Sequence, residues 1–199
     1  MTGKVKQRRT ELRQRLIDIA EARIAEDGMA AIKARDLAKR ADCAVGAIYN
    51  VFGDLNDIII AVNGRTFQRI GAAVAKSLEG REGDTPTDRL IAMSLAYLDF
   101  AAANPKTWRT LFDIRMSTEM AVPDWYMSEL GRLFGYIAGP VSECFPDMSD
   151  DEVNLMTRAL FSSVHGIVLL GLENRISGVP GDELERMIAL VLVQATGNK

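Results

Sequence analysis

Apolar residues in this chain recur three and four positions apart almost from end to end. Nowhere do they alternate singly between Gly or Asn turns. The first spacing lines one face of a helix, whereas a half-buried strand needs a period of two. The expected class is therefore all-α, with about nine helices. Leu12, Leu16, Ile19 and Ile24 mark the first helix, and Gly28 supplies its stop signal. Ile32 to Ala41 is a short amphipathic segment, broken by Asp42-Cys43-Ala44. Val45 to Phe52 resumes the pattern with Ile48, Tyr49 and Phe52, and Gly53-Asp54 ends it.

The remainder reads the same way. A longer helix runs from Leu55 to about Leu78, bearing Ile59, Phe67, Ile70 and Val74. Residues 79–86 form a turn-rich linker, in which Asp84 or Thr85 caps a helix that Pro86 opens. That helix carries Leu90, Met93, Tyr97, Leu98 and Ala101 and stops near Asn104-Pro105. A short helix from Lys106 to about Met116 follows. Another runs from Trp125 to about Glu143, with a kink or an early end expected at Pro140. After a loop over Pro146 to Asp150, a long helix spans Asp151 to about Ile176. Pro180-Gly181-Asp182 opens the last one, with Leu184, Met187, Ile188, Val191 and Leu192.

Composition narrows the function. With 199 residues and 48% of them apolar, the chain is too hydrophobic for low-complexity disorder and long enough for a sizeable core. It has one histidine, His165. That removes His-metal clusters and Ser-His-Asp triads from the reasonable readings, and no constellation of acid, base or nucleophile stands out. The expectation is no enzyme, no metal and no cofactor. Cys43 and Cys144 lie too far apart for a zinc or disulfide framework and read as buried thiols of a reducing cytoplasm. No apolar run follows the basic N-terminus as a secretory signal would require. The charge-free stretch Ala159 to Leu172 has 14 residues, against about 20 for a membrane span, so no membrane partner is expected.

Charge is unevenly placed. The net charge is −3, yet residues 1–56 hold 11 basic and 8 acidic side chains. Lys4, Lys6, Arg8, Arg9, Arg13 and Arg15 face only Glu11 in the first fifteen positions. A basic arm on an acidic body points one end toward a polyanion, although a solvated terminus has the same composition.

The two short helices around the Asp42-Cys43-Ala44 break have the helix-turn-helix arrangement, whose second helix enters a major groove. The order of residues here resembles the TetR-type bacterial transcriptional regulators. It runs from Gly28 to Arg35-Asp36-Leu37-Ala38-Lys39-Arg40-Ala41, then Gly46-Ala47-Ile48-Tyr49-Asn50-Val51-Phe52, then Asp57-Ile58-Ile59. Trp108-Arg109-Thr110-Leu111-Phe112 and Val164-His165-Gly166 are similar to segments of the family's ligand domain. The resemblance implies a homodimeric repressor with a helix-turn-helix domain over residues 1–56 and a helical ligand-binding and dimerisation domain over 57–199. It also implies a small-molecule effector that alters the spacing of two reading heads on a double-stranded operator. The chain departs from the family in having Ala44-Val45 where Ser-Lys is frequent, Ala47 where Thr is frequent, and Leu55 where a Lys often opens the fourth helix. Val45 to Phe52 consequently carries no charged side chain.

The DNA-contact candidates are Lys33 and Arg35, with Lys4 to Arg15, for phosphates, and Ala44, Val45, Gly46, Ala47, Tyr49 and Asn50 for the groove. Asn pairs with adenine, Tyr bonds phosphate, and Val or Ala touches a thymine methyl. Phe52 is expected in the core and Tyr49 outside it. Tyr97, Trp108, Phe112, Arg115, Met116, Met120, Trp125 and His165 are the candidate ligand-pocket residues, with ordinary core as the alternative. Ser162, Ser163, Gly166, Leu184, Met187 and Val191 are the candidate dimer interface, where small residues permit close helix approach. The rival reading is a helical ligand-binding or interaction protein whose DNA-reading head has decayed.

Overall fold

The computed structural model describes residues 2–114, 122–173 and 180–197. Among these the chain is helical throughout, with α1 (Thr2–Asp27), α2 (Ala34–Arg40), α3 (Val45–Tyr49), α4 (Leu55–Ser77), α5 (Pro86–Ala103), α6 (Pro105–Asp113), α7 (Asp124–Cys144), α8 (Asp150–Leu172) and α9 (Leu184–Thr196). Two compact units emerge, one from Met1–Thr66 with Asn104–Tyr126, the other from Phe67–Ala103 with Met127–Lys199. Helix α4 gives its first half to one unit and its second half to the other.

In the first unit α1 begins ten residues before the apolar pattern does. Lys, Arg, Gln and Glu are good helix formers, so the basic segment extends the helix instead of fraying. Gln7 donates to Glu11 (2.9 Å) one turn on. Gly28 ends α1 at φ 81° and ψ 178°, a region that side-chain-bearing residues avoid. The core beneath is made by Leu16, Ala20 and Ile24 of α1, Leu37 and Ala38 of α2, Ile48 of α3, and Ile58 and Val62 of α4. Helix α6 packs on α1, and Lys106 donates to the Glu26 carbonyl at the end of α1.

In the second unit α5, α8 and α9 pack on one another. Pro86 opens α5 as expected, capped by Thr85, whose hydroxyl accepts from the Asp88 N–H (3.1 Å). Helix α7 continues through Pro140 to Cys144, so no early end occurs there. Ser149 starts α8 with a reciprocal cap: its hydroxyl accepts from the Glu152 N–H while the Glu152 carboxylate accepts from the Ser149 N–H (2.8 Å). The hydrogen bonds that the Glu152 carboxylate receives from the Ser149 N–H and from the Ser149 hydroxyl hold its pKa below the ordinary value. The last helix is entered by a 3₁₀ turn over Gly181–Glu183. The 14-residue apolar stretch proves to lie within a 23-residue helix, α8, which is long and apolar enough by length and composition to cross a membrane. One of its stripes, Val153, Thr157, Leu160, Val164 and Val168, is buried in the unit's core.

Candidate functional site

The surface between α2 and α3 is set by which residues the first unit buries. Leu37 and Ala38 anchor α2, and Ile48 anchors α3. Between them Asp42 adopts φ 49°, a left-handed turn position that Asp tolerates better than branched residues do. The turn delivers Ala44 as the extended N-cap of α3. Phe52 lies in the core, while Tyr49 is 49% exposed. Ala44, Val45, Gly46 and Asn50 are also exposed, and Ala47 is half-buried. Helix α3 is shorter than the sequence pattern implied, because Asn50 forms its C-cap and residues 51 and 52 turn inward.

Lys33 caps α2 from an extended conformation and Arg35 sits in its first turn; both are exposed. Among the described residues neither is paired with a carboxylate. Arg40 is bound to Asp36 through its Nε (3.0 and 3.1 Å), and Arg23 reaches Asp36 (3.3 Å) and Asp27 (2.6 Å), so these two cations are neutralised locally. Burial works against the charged Arg23, but Asp27, Glu26 and Asp36 together raise its pKa. Helix α1 contributes two contacts that the sequence did not disclose. The Arg13 guanidinium lies 5.0 Å from the centre of the Phe52 ring, and Arg15 donates to the Ala41 carbonyl at the end of α2 (3.2 Å). The start of α4 is acidic instead: Asp54 accepts from the Asp57 N–H (2.9 Å), and Asp57 accepts from the Gly53 N–H (2.7 Å).

The candidate pocket residues divide between the units. In the first, Trp108 is buried edge-on to the exposed Phe112 (centroids 5.4 Å apart). The half-exposed Trp125 lies so close over Gly64 that a Cβ there would meet its ring at 2.5 Å. Next to it Tyr126 is buried beside Asn63, and burial raises the phenol's pKa against the hydrogen bond from Asn63, which lowers it. Asn63, itself fully buried, donates to the Thr110 carbonyl of α6 (3.2 Å). Arg115, Met116 and Met120 fall outside the described residues. In the second unit Tyr97 Oη and His165 Nδ1 share a 2.9 Å hydrogen bond. Phe161 stacks on His165 at 5.7 Å and 15°, and meets Tyr97 and Phe134 edge-on. Phe161 stands one turn before His165, so the spacing of α8 places the two rings on one face.

Of the interface candidates on α8, Ser162 and Ser163 are exposed and Gly166 is half-buried. They continue a stripe that includes Leu155 (70% exposed) and Leu170. Met187 and Val191 on α9 are half-buried beside the exposed Leu190. Leu184 is 3% exposed, and its side chain seats on Gly171 between α8 and α9 within the protomer.

A family model described as "Tetracyclin repressor-like, C-terminal domain" matches residues 90–194, more than half of the chain. The chain belongs to the TetR family. It is a DNA-binding transcriptional regulator of that family. The HTH-type transcriptional regulator BetI of Yersinia pestis is 25% identical to this TetR regulator over 187 residues, 91% of this chain and 88% of the relative. The HTH-type transcriptional repressor KstR of Mycobacterium tuberculosis is 36% identical over 80 residues, 40% of this chain and 36% of the relative. A protein of unknown function from Rhodococcus sp. RHA1 shares the fold with a TM-score of 0.73 at 21% identity, over 92% of this chain and 94% of that one. The regulator FadR from Bacillus subtilis, solved in complex with stearoyl-CoA, aligns with a TM-score of 0.68 at 17% identity, over 92% and 98% of the two chains.

Proposed function

We propose that this TetR regulator is a homodimeric repressor that seats α3 in the major groove and is released by a small-molecule effector. The observation that carries the reading is the exposed, uncharged edge Ala44, Val45, Gly46, Tyr49 and Asn50, held over a closed core by Ile48 and Phe52. Such an edge suits direct readout by the Asn50 amide and by methyl contacts. Lys33 and Arg35, unpaired among the described residues, supply phosphate contacts from the N-terminal end of α2. The protein acts in the cytoplasm, where its operator is.

Dimerisation uses the exposed stripe of α8 with Ser162, Ser163 and Gly166, together with Met187 and Val191 of α9. Two copies then form a four-helix bundle that covers Leu155 and Leu190. The effector docks on the rings of Tyr97, Phe161 and Phe134, with the His165–Tyr97 pair as its polar handle. Phe112 and Trp125 are further candidates for effector contact in the first unit. The ring-lined setting favours an apolar or aromatic body with one hydrogen-bonding group; the stearoyl chain of the stearoyl-CoA in the FadR neighbour is an apolar body of that kind.

The test is fluorescence anisotropy of the full chain against DNA flanking its own coding region, with unrelated DNA as competitor. Binding that survives competitor and is then abolished by a phenol or an acyl-coenzyme A is the expected result. Binding that competitor removes entirely would favour the decayed-head reading. Light scattering at micromolar concentration should give a dimer, and Leu155→Glu with Leu190→Glu should give a monomer.

A further inference from the structure

The face of α1 that packs on the head continues beyond it, and there its chemistry changes. Leu16, Ala20 and Ile24 recur at four-residue spacing and are fully buried. The same stripe, followed toward the N-terminus, reads Arg13, Arg9 and Lys6. Residues 3–11 are all exposed, and the apolar Val5 beside this stripe is 68% exposed, so these turns project past the core. Arg13 marks the place where the stripe leaves the head, because its guanidinium covers Phe52, three residues after the end of α3. From Arg13 the stripe rises about 6 Å to Arg9 and about 4.5 Å more to Lys6. Lys6, Arg8 and Arg9 have no carboxylate partner among the described residues, and the carboxylate on this segment, Glu11, is engaged by Gln7.

We propose that the first three turns of α1 are a helical clamp on the DNA backbone beside the bases that α3 reads. The clamp uses the Lys6–Arg9–Arg13 stripe and not the opposite stripe of Lys4 and Arg8. The inference rests on the reading of this chain as a DNA-binding regulator. Its support is charge complementarity: α3 brings no cation and the start of α4 is acidic, whereas this stripe lines up three cations and meets the end of the reading segment where Arg13 covers Phe52. Each strand of duplex DNA carries one phosphate per about 3.4 Å of helix axis, so a row of cations laid along the backbone finds phosphates within reach without reading sequence. The reading surface is thereby divided, with phosphate affinity on α1 and α2 and base discrimination on α3.

The experiment compares two charge-matched pairs in the full chain, Lys6→Gln with Arg9→Gln and Lys4→Gln with Arg8→Gln. Gln preserves helix propensity, and circular dichroism checks that α1 stays folded. The probes are a duplex selected from a randomised pool by the unaltered protein and a mixed-sequence duplex of equal length, each titrated by anisotropy from 50 to 300 mM salt. Each lost phosphate contact lowers the slope of log K on log salt by about 0.9, so the Lys6/Arg9 pair on two heads should flatten it by about 3–4. The Lys4/Arg8 pair should change it by less than about 1 on the same scale. The ratio of selected to mixed-sequence affinity should be kept by the Lys6/Arg9 pair and reduced by Tyr49→Ala. Equal flattening by both pairs would overturn the placement on one stripe. Unchanged slopes with selective binding intact would overturn the clamp and leave the regulator. A protein that shows no preference for any selected duplex would overturn both.

Discussion

Gly171 and Leu184 offer a sharp test of the α8–α9 packing on which the dimer surface is built. A methyl at position 171 would lie 2.2 Å from one Leu184 δ-carbon, 2.7 Å from the other and 3.0 Å from its γ-carbon. Carbon atoms rest comfortably at about 3.5–4.0 Å, so about 1.4 Å of relief is needed. Leu184 is 3% exposed, so relief requires its buried side chain to change rotamer or the backbone of α9 to give way. Gly171→Ala should therefore cost about 1–3 kcal/mol, the usual range for overpacking, despite the gain in helix propensity. Leu184→Ala alone should cost about 2–5 kcal/mol through its cavity. The double variant should be no worse than Leu184→Ala, because the new methyl occupies space that the lost side chain leaves. The interaction term then runs to about 1–3 kcal/mol in the favourable direction. Urea unfolding followed by circular dichroism at fixed protein concentration reads all three values. A Gly171→Ala variant within about 0.5 kcal/mol of the parent, or strictly additive costs, would refute the close approach.

Three further outcomes are expected. Ile48→Ala should destabilise the first unit by about 2–5 kcal/mol, whereas Tyr49→Ala should change stability by less than about 0.5 kcal/mol yet weaken DNA selectivity; unfolding curves and anisotropy on the same samples separate the two. Gly28→Ala forces a side chain into the φ 81°, ψ 178° conformation and should lower stability by about 1–3 kcal/mol, with the midpoint of urea unfolding as readout. The Glu152 carboxyl has a depressed pKa in the fold, so its stabilisation is present above the unfolded-state value and fades as pH falls through the folded one. The melting temperature of Glu152→Ala should thus lie below the parent's at pH 7 and converge with it in acid.

Periodicity disclosed the helices wherever apolar residues mark a face, and so the helix-turn-helix and the individual helices α5, α8 and α9 were legible. It failed at the start of α1, because Lys6, Arg9 and Arg13 keep the helical spacing but not the apolar character that reveals it. Pro140 suggested a kink or an early end, yet a proline removes only one hydrogen bond and α7 runs on past it to Cys144. The exposed placement of Tyr49 and the burial of Phe52 followed from their offset from Ile48. Contacts between distant segments were not legible: Tyr97 with His165, Trp125 on Gly64 and Asn63 with Thr110 depend on how helices meet. Leu184 shows the same limit, since spacing puts it on a face of α9 without saying which neighbour that face meets.

The aromatic and imidazole groups also give each unit its own built-in label. Both tryptophans, Trp108 and Trp125, belong to the first unit, and the chain's one histidine to the second. Indole emission therefore reports events around α6 and the start of α7. A plain proton spectrum shows a single imidazole C2 resonance, displaced by the ring current of Phe161 stacked on His165. The two signals follow the two units in one unlabelled sample, without a reporter group having to be introduced.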